Sequence, residues 1–530
     1  MYVTFISFGF ILFLGFILIS VCSGGVSLLI SFFPSSFFLN NFIEFIICVD
    51  SVVLSCLIML LVCSLLAFIY CFHYYYGSLG ALSLFYLMVW FVSTMLLLVV
   101  SGSLVFTLVM WEYLGFVSFL LILFYSNSSS VRASLVTLFS SRFGDVGLFV
   151  VIACWLCGFN VTGWLFFFCF FLVIITKSAG FPFISWLLEA MRAPTPVSSL
   201  VHSSTLVAAG VWFMVRYGVL LDSYTLFFVF VFSVITIYIT GICALFFLDL
   251  KKIVALSTCN NIAWCLLYYT CGDVYLVIFQ LLVHGVCKCA LFILVGDLMS
   301  SSGSSQSSMG VYMSRYGGVY GNILLVFLVF CLCGVPFLGI YFSKHFFFMC
   351  LVGGVYNIFL VLSTLLGFFF SYLYSFRLAL MVCSGVRGLS LGYLVSFIFV
   401  SLFVLIGTFF GWLICGGFEE YNYLSFIWSF FFLLIQFFGC FFGYLIYTSN
   451  FVGWFWNTIL CGSDSLVNLF YFFYYNVFGL SLIGVYRWEL SVFSLLGRFS
   501  GVFMNKGLFI FSLNFMILGI LFYSLFCGLI

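Results

Sequence analysis

Apolar runs about as long as a bilayer is thick follow one another along nearly the whole chain, and this succession constrains its fold more than any other feature. They lie near residues 4–32, 51–74, 80–100, 103–125, 133–158, 161–179, 195–217, 224–248, 252–270, 273–299, 319–346, 353–380, 390–415, 424–447 and 508–528. A spanning helix needs roughly 20 apolar residues, so the chain offers about fifteen spans. Backbone groups find no water in lipid, which leaves helices or a closed barrel as the only spanning structures. These runs are too long and too poorly alternating for barrel strands. With 66% hydrophobic and 5% charged residues, the expected fold is an all-α polytopic membrane protein, and no nucleic-acid partner is expected.

The first Lys or Arg is Arg132. An Arg-rich transit peptide or a basic signal-peptide start is therefore not expected. The chain reads as one made close to its membrane, as organelle-encoded and bacterial proteins are, and its 79 Phe suggest a biased coding genome. The 15 Lys and Arg are scattered over many short loops and assign no orientation by the positive-inside rule.

Nearly all of the 22 Cys lie within apolar runs, where the thiol packs as a small hydrophobe. Cys154 and Cys157 form the single C-x-x-C; without a second pair at similar depth, a zinc or iron–sulfur site is not expected. No Gly-rich loop follows a strand, so neither a nucleotide nor any other cofactor is expected on this chain.

Three lysines stand inside spanning runs: Lys177, Lys288 and Lys344. An ammonium at the bilayer centre costs at least about 2.5 to 3.5 kcal/mol, so such groups face a protein interior or water and mark ion or proton paths. Two of the five prolines sit beside them, Pro182 after Lys177 and Pro336 before Lys344. A proline inside a helix removes a backbone bond and breaks or kinks the helix. Interrupted spans in two halves of a chain point to an internally repeated transporter with its site near the midplane. The plainer reading is of packing kinks alone.

His284 and Lys288 are four residues apart and share one helix face. Histidine changes charge near neutral pH, and a lysine whose carboxylate partner approaches and withdraws can load and release a proton. Glu112, alone in an apolar run, is the candidate partner in the first half. His202 stands among Ser and Thr hydroxyls that could hold water; a structural hydrogen-bonding role is the alternative.

The segment KSAGFPFISWLLEAMRAPTPVSSLVHSSTLVAAGVWFMVR, 177–216, resembles the signature of the subunit 5 family of antiporter-like subunits of mitochondrial respiratory complex I. WEYLGFVSFLLI, SRFGDVGLF, DLKKIVALSTCNNIAW, LLVHGVCKCALFILVGDLM and GVPFLGIYFSK follow in the family's order. The resemblance implies two inverted five-helix repeats with broken helices carrying Lys177 and Lys344. It implies roles in proton translocation for Glu112 and Lys177 as an ion pair and for His202, His284, Lys288 and Lys344 as a hydrophilic axis, with Lys344 near the exit. Asp145 matches an acidic position that modulates the pair. On this reading 1–79 holds N-terminal helices, 80–217 and 218–346 the two repeats, 347–450 further helices, and 451–530 a lateral segment with a terminal anchor.

The implied function is proton translocation within NADH:ubiquinone oxidoreductase of the mitochondrial inner membrane, driven by quinone reduction elsewhere in the complex. NADH, FMN, iron–sulfur clusters and ubiquinone would be held by other subunits. The implied partners are the other core and accessory subunits, above all the adjacent antiporter-like subunit, and membrane lipids, cardiolipin among them. The alternatives are an Mrp-type sodium/proton antiporter subunit and a scaffold that has lost pumping; the number of ionisable groups inside apolar runs argues against the scaffold.

Three departures from the family pattern stand out. Only 49 residues precede Asp50, which resembles the start of the family's third helix, so an N-terminal helix or its loop is expected to be missing. Glu189 replaces the usual Asp. About 30 residues separate NLFYFFYYN, 468–476, from the last span, which at 1.5 Å per residue allows a lateral helix of roughly 45 Å at most. It would contain Arg487, Glu489, Arg498 and Lys506. Among the remaining charges, Lys251 and Lys252 read as interfacial anchors, Arg216 as a snorkelling residue, Glu419 and Glu420 as loop residues, and Arg377 and Arg387 as flanking a helix end.

Overall fold

A computed structural model describes residues 28–31, 46–156 except 77 and 79, 163–301 except 222, residue 306, 318–383 except 337 and 354–357, 426–449, and residues 487, 491 and 494. The chain divides into two compact units, Met1–Leu460 and Cys461–Ile530.

In the first unit a short antiparallel pair, β1 (Leu28–Ser31) and β2 (Ile46–Val49), precedes the helices. The residues of β1 were expected to close a helix over 4–32. Instead Leu28 pairs with Val49 and Ser31 with Ile46. The Ile46 carbonyl also accepts the Gly102 N–H at 2.8 Å, so this extended segment is tied to the turn before α3. The rest of that run lies outside the described residues.

The helices are α1 (Ser51–Tyr74), α2 (Gly80–Val100), α3 (Leu104–Leu123), α4 (Ser128–Leu156), α5 (Trp164–Lys177), α6 (Ser185–Ala190), α7 (Thr195–Leu220), α8 (Ser223–Cys243), α9 (Leu250–Thr270), α10 (Val274–Ser301), α11 (Gly318–Cys333), α12 (Tyr341–Gly353), α13 (Ile358–Cys383) and α14 (Phe426–Thr448). Nine of the described helices are long and apolar enough to cross a membrane, and three shorter apolar ones lie at Trp164–Lys177, Ile323–Cys333 and Tyr341–Val352. The expected spans at 390–415 and 508–528 lie outside the described residues.

The short helices arise beside the prolines, as expected. α5 stops at Lys177, Ala179 takes a positive φ of 53°, the Phe181–Pro182 bond is cis, and the chain resumes helix at Ser185. α11 stops at Cys333, Gly334 (φ 84°) and Gly339 (φ 49°) supply left-handed turns around Pro336, and α12 begins at Tyr341. Each broken helix is the fourth member of a run of five: α2, α3, α4, α5/α6, α7, then α8, α9, α10, α11/α12, α13.

Packing is tightest at the centre of the unit. The apolar stretch of α7 is buried throughout and that of α10 is 83% buried, against 22% for α14. α14 and α4 instead carry Phe430, Phe437, Phe139, Phe143 and Phe149 outward, as lipid-facing helices do. Glycines set the closest approaches. A side chain at Gly147 would meet the Cys169 carbonyl oxygen at 2.8 Å, so α4 lies directly on α5.

In the second unit the described residues Arg487, Ser491 and Ser494 are helical and exposed, and the Ser494 hydroxyl donates to the Ser491 carbonyl at 2.8 Å. The length of the expected lateral helix lies outside the described residues.

Candidate functional site

The break after α5 leaves Lys177 at the helix end, fully buried. Its ammonium lies over the Trp111 ring, 4.9 Å from the centroid, where the ring's negative face favours a cation. A Cβ at Gly115, one turn beyond Trp111, would stand 3.8 Å from that ammonium and 3.9 Å from the Ser141 hydroxyl. The lysine head thus occupies a niche floored by the missing side chain of Gly115.

Glu112 does not pair directly with Lys177. Its carboxylate accepts a short hydrogen bond from Arg142, and Arg142 also lies 3.4 Å from Asp145. The expected ion pair is therefore replaced by a cluster in which Arg142 bridges both carboxylates. Asp145 is itself buried, and Glu112 turns to Arg142 rather than to the lysine. The reason lies in helix rotation: Glu112 faces α4, while Trp111 beside it faces the lysine.

Beside Lys177 stands Trp186, whose indole N–H donates to the Thr176 carbonyl at 3.0 Å. The Trp186 ring meets His202 edge to face at 6.4 Å. His202 lies within Ser198–Thr205, a π-helical segment of α7. Hydroxyls loosen the helix there: Thr205 donates to Leu200 five residues back at 2.9 Å, and Ser198 to Thr195 at 2.9 Å. Such back-bonding competes with the α-helical ladder, and π-bulges are common at functional sites. His202 is buried, and neither ring nitrogen has a hydrogen-bond partner among the described residues.

α10 carries the other half. Gly285 has no side chain, which lets α10 pass within contact of Met59 and of Ser204 in the π segment. Gln280, His284 and Lys288 form one buried stripe along α10. The Lys288 ammonium donates to the Val254 carbonyl at 3.2 Å and, in a shorter bond, to the Ser257 hydroxyl. Lys288 and Ser257 line a cavity of about 10 Å³ with Cys333, Tyr374 and Ser375, close to the smallest space that holds one water.

Beyond the cavity, the Cys333 carbonyl accepts from the Lys344 ammonium at 2.7 Å, and the Ser371 hydroxyl does so at 2.8 Å. Lys344 also faces Trp264, Phe368 and Tyr372 at 5.8, 5.6 and 5.4 Å. Next to it, the Ser343 hydroxyl donates to Gln280 at 2.5 Å, linking α12 back to α10. The Nε2 atom of His284, both side-chain polar atoms of Asn261 and the Nε2 atom of Gln280 are buried with no partner among the described residues.

Of the seven residues singled out from the sequence, Glu112, Asp145 and Lys177 lie in one cluster, His202 beside Trp186, and His284, Lys288 and Lys344 on α10 and α12. Arg142, Trp111, Ser257, Asn261, Gln280 and Ser371 join them unforeseen. Arg142 had a signal, a lone cation three residues before Asp145 in SRFGD; the hydroxyls and amides had none, since nothing in an apolar run tells which face turns inward. Among the charges assigned elsewhere, Lys251 is buried and donates to the Ala193 carbonyl at 3.4 Å. Lys252 pairs with Asp249 at 2.8 Å, and Arg216 pairs with Asp50. Arg377 sits inside α13, buried, and donates to the Ala244 and Phe247 carbonyls at 2.9 and 3.1 Å. Arg387, Glu419 and Glu420 lie outside the described residues.

Residues 101–371 match the family profile described as NADH:quinone oxidoreductase/Mrp antiporter, TM. The chain 5 of NADH-ubiquinone oxidoreductase from Aedes aegypti is 31% identical over 458 residues, 79% of this chain and 75% of that one. The chain belongs to this family, in its chain 5 branch. The Ascaris suum chain 5 is 36% identical over 377 residues, 67% of each chain. The Apis mellifera ligustica chain 5 is 34% identical over 299 residues, 54% of this chain. In that case the match spans about half, 53%, of the relative's length. Among solved structures, the Mrp complex from Dietzia sp. DQ12-45-1b superposes with a TM-score of 0.69 at 20% identity, covering 90% of this chain and 57% of that one. An archaeal membrane-bound sulfane sulfur reductase superposes with a TM-score of 0.62 at 16% identity, covering 70% and 82%. Both show the antiporter-like fold, which agrees with the all-α polytopic architecture.

Proposed function

We propose that this chain is a proton-translocating membrane-arm subunit of a respiratory NADH:ubiquinone oxidoreductase in the mitochondrial inner membrane, and that it carries no redox chemistry itself. The observation that carries the reading is the set of buried ionisable groups Asp145, Lys177, His202, His284, Lys288 and Lys344 across the two halves, with Glu112 and Arg142 at its partly exposed end. Charged and imidazole groups at membrane depth are costly and are kept where ions or protons move. His202, Asn261, Gln280 and His284 need hydrogen-bond partners that the surrounding side chains do not supply, and water is the partner available to buried groups of this kind.

The chemistry follows from charge balance. Arg142 holds Glu112 and Asp145, so a shift of Arg142 toward either carboxylate changes the negative charge that Lys177 feels. When that charge is drawn away, the ammonium loses its compensation and passes a proton inward, through water beside Trp186, to His202. Lys288 and Lys344, each held by a carbonyl and a hydroxyl, are the next stations, and each ammonium gives its own proton onward before its amine takes one from the side of His202. NADH, FMN, iron–sulfur clusters and ubiquinone belong to partner subunits, and quinone reduction there supplies the driving change.

In membranes holding equal amounts of assembled complex, Lys177→Ala is expected to lose both NADH:quinone turnover and proton pumping. Full activity of that variant would reject the reading and favour a scaffold. The family profile also names Mrp antiporters, so sodium/proton exchange by the isolated chain, without quinone-oxidoreductase partners, would instead mark an Mrp-type subunit.

A further inference from the structure

One titratable pair lies off the route just described, at an end of the helices that carry it. His73, in the last turn of α1, and Asp297, in the last turns of α10, are joined through Nε2 and Oδ1 at 3.1 Å. Their side chains are 33% and 15% exposed, so the pair stands at the boundary between the packed interior and what surrounds it. Directly inward lies Tyr70, one turn before His73, with ring centroids 6.2 Å apart. Tyr70 is buried, and its hydroxyl lies 3.3 Å from the Thr195 hydroxyl. Gly296, beside Asp297, leaves the space that the Tyr70 hydroxyl and Thr195 fill.

Thr195 opens α7 seven residues before His202, about 10 Å along a helix at 1.5 Å per residue. Hydroxyls occupy the intervening face. Ser198 donates to the Thr195 carbonyl at 2.9 Å and Ser199 to the Pro196 carbonyl at 2.8 Å, and both side chains are buried. Hydroxyl groups both donate and accept, and each can rotate. They can therefore hand on a proton, which apolar side chains cannot.

We propose that His73 and Asp297 form a proton port that feeds His202 through Tyr70, Thr195 and the hydroxyl face of the π-helical segment. The inference rests on the proton-translocation reading above and adds a place at which protons join or leave its axis. The step moves one proton: the Asp297–His73 pair takes it up at the mouth and passes it through bridging water to Tyr70, Tyr70 accepts it as it gives its own phenolic proton to the Thr195 hydroxyl, Thr195 gives its own proton to water along the Ser198–Ser199 face, and His202 takes the proton that this water releases. Among the described residues, the groups near the pair are Tyr70 and Tyr74 on α1, whose rings lie 5.8 Å apart, and, near Thr195, Lys251 on α9 bonded to the Ala193 carbonyl. α2 carries no charged residue, and the only other titratable groups of α7 besides His202 are Arg216 and Tyr217, near its far end.

The test compares NADH:quinone turnover and pumping between about pH 6 and about pH 8, since pH–rate profiles report the groups that gate proton transfer. It uses membranes carrying unmodified complex, Asp297→Asn, His73→Gln, Tyr70→Phe, and Lys177→Ala as control, each normalised to assembled complex. A port collects protons when they are scarce. Asp297→Asn and Tyr70→Phe are therefore expected to keep most turnover on the acid side and lose most of it on the alkaline side, while Asp297→Glu restores the unmodified profile. Tyr70→Phe removes only a hydroxyl and keeps the ring packed, so it reads the relay even if Asp297→Asn assembles poorly. Unmodified profiles in Tyr70→Phe and in assembled Asp297→Asn or His73→Gln, alongside loss in Lys177→Ala, would overturn the port and leave the translocation reading standing. Unmodified activity in Lys177→Ala as well would remove both. Uniform loss at every pH, unrestored by Asp297→Glu, would assign the pair a structural role and overturn the port.

Discussion

Lys177 and Lys344 solve the problem of a buried ammonium differently. Lys344 has two direct acceptors and three aromatic faces, whereas Lys177 has one ring and carboxylates held at one remove by Arg142. A cation–π contact is worth about 0.5 to 2 kcal/mol, less than the cost of an ammonium at membrane depth, so Lys177 depends on Asp145 and Glu112. Arg142→Ala is then expected to lower NADH:quinone turnover about tenfold, about 1.4 kcal/mol of barrier, with Arg142→Lys less affected; steady-state turnover of assembled complex checks it. Gly115→Val should place a methyl group in the lysine niche and lower turnover, while Gly115→Ala, with its Cβ at 3.8 Å, should be nearly silent. At this scale the ionisable members of the route were legible, since a lone charge in an apolar run is too costly to be kept for packing alone. The Glu112 partner was not. Pairing depends on how α3 and α4 are rotated about their axes, and an all-apolar helix carries no period that sets this.

Among the elements, the broken helices were legible because Pro182 and Pro336 punctuate otherwise unbroken apolar runs. Each broken helix stands fourth in a run of five helices. The π-helical segment was hidden, because Ser and Thr at 198–205 are compatible with an ordinary helix until packing against α10 at Gly285 selects the looser turn. Arg377 is a different case: read as a helix flank, it caps the chain between α8 and α9 from within α13. Arg377→Met would strip donors from the Ala244 and Phe247 carbonyls, at about 1 to 3 kcal/mol for each group left unpaired. A lower thermal midpoint or reduced assembly is the expected result in a thermal-shift assay of the purified complex. Gly147→Leu should destabilise through overpacking by about 1 to 3 kcal/mol or more, since the Cys169 carbonyl it would meet is backbone and cannot swing aside.

Across the first unit, α7 and α10, which carry His202, His284 and Lys288, are the most buried of the described long apolar helices, whereas α4, which carries Arg142 and Asp145, and α14 turn phenylalanines outward. This is the arrangement a membrane demands of a path that must stay wet inside and apolar outside. The spanning class was legible from length and composition alone, whereas the strand pair at 28–31 and 46–49 was masked by an apolar run that reads equally well as helix. Ordered water beside His202, Asn261, Gln280 and His284 is expected in a high-resolution experimental map, and a dry interior there would break the route. The most direct test is the number of protons moved per NADH oxidised in sealed membranes carrying Lys288→Ala, compared with unmodified complex at equal assembly. The account predicts that pumping collapses together with turnover, because Lys288 lines the cavity that also reaches Cys333, whose carbonyl holds Lys344. Unmodified turnover with an unmodified proton yield would contradict it.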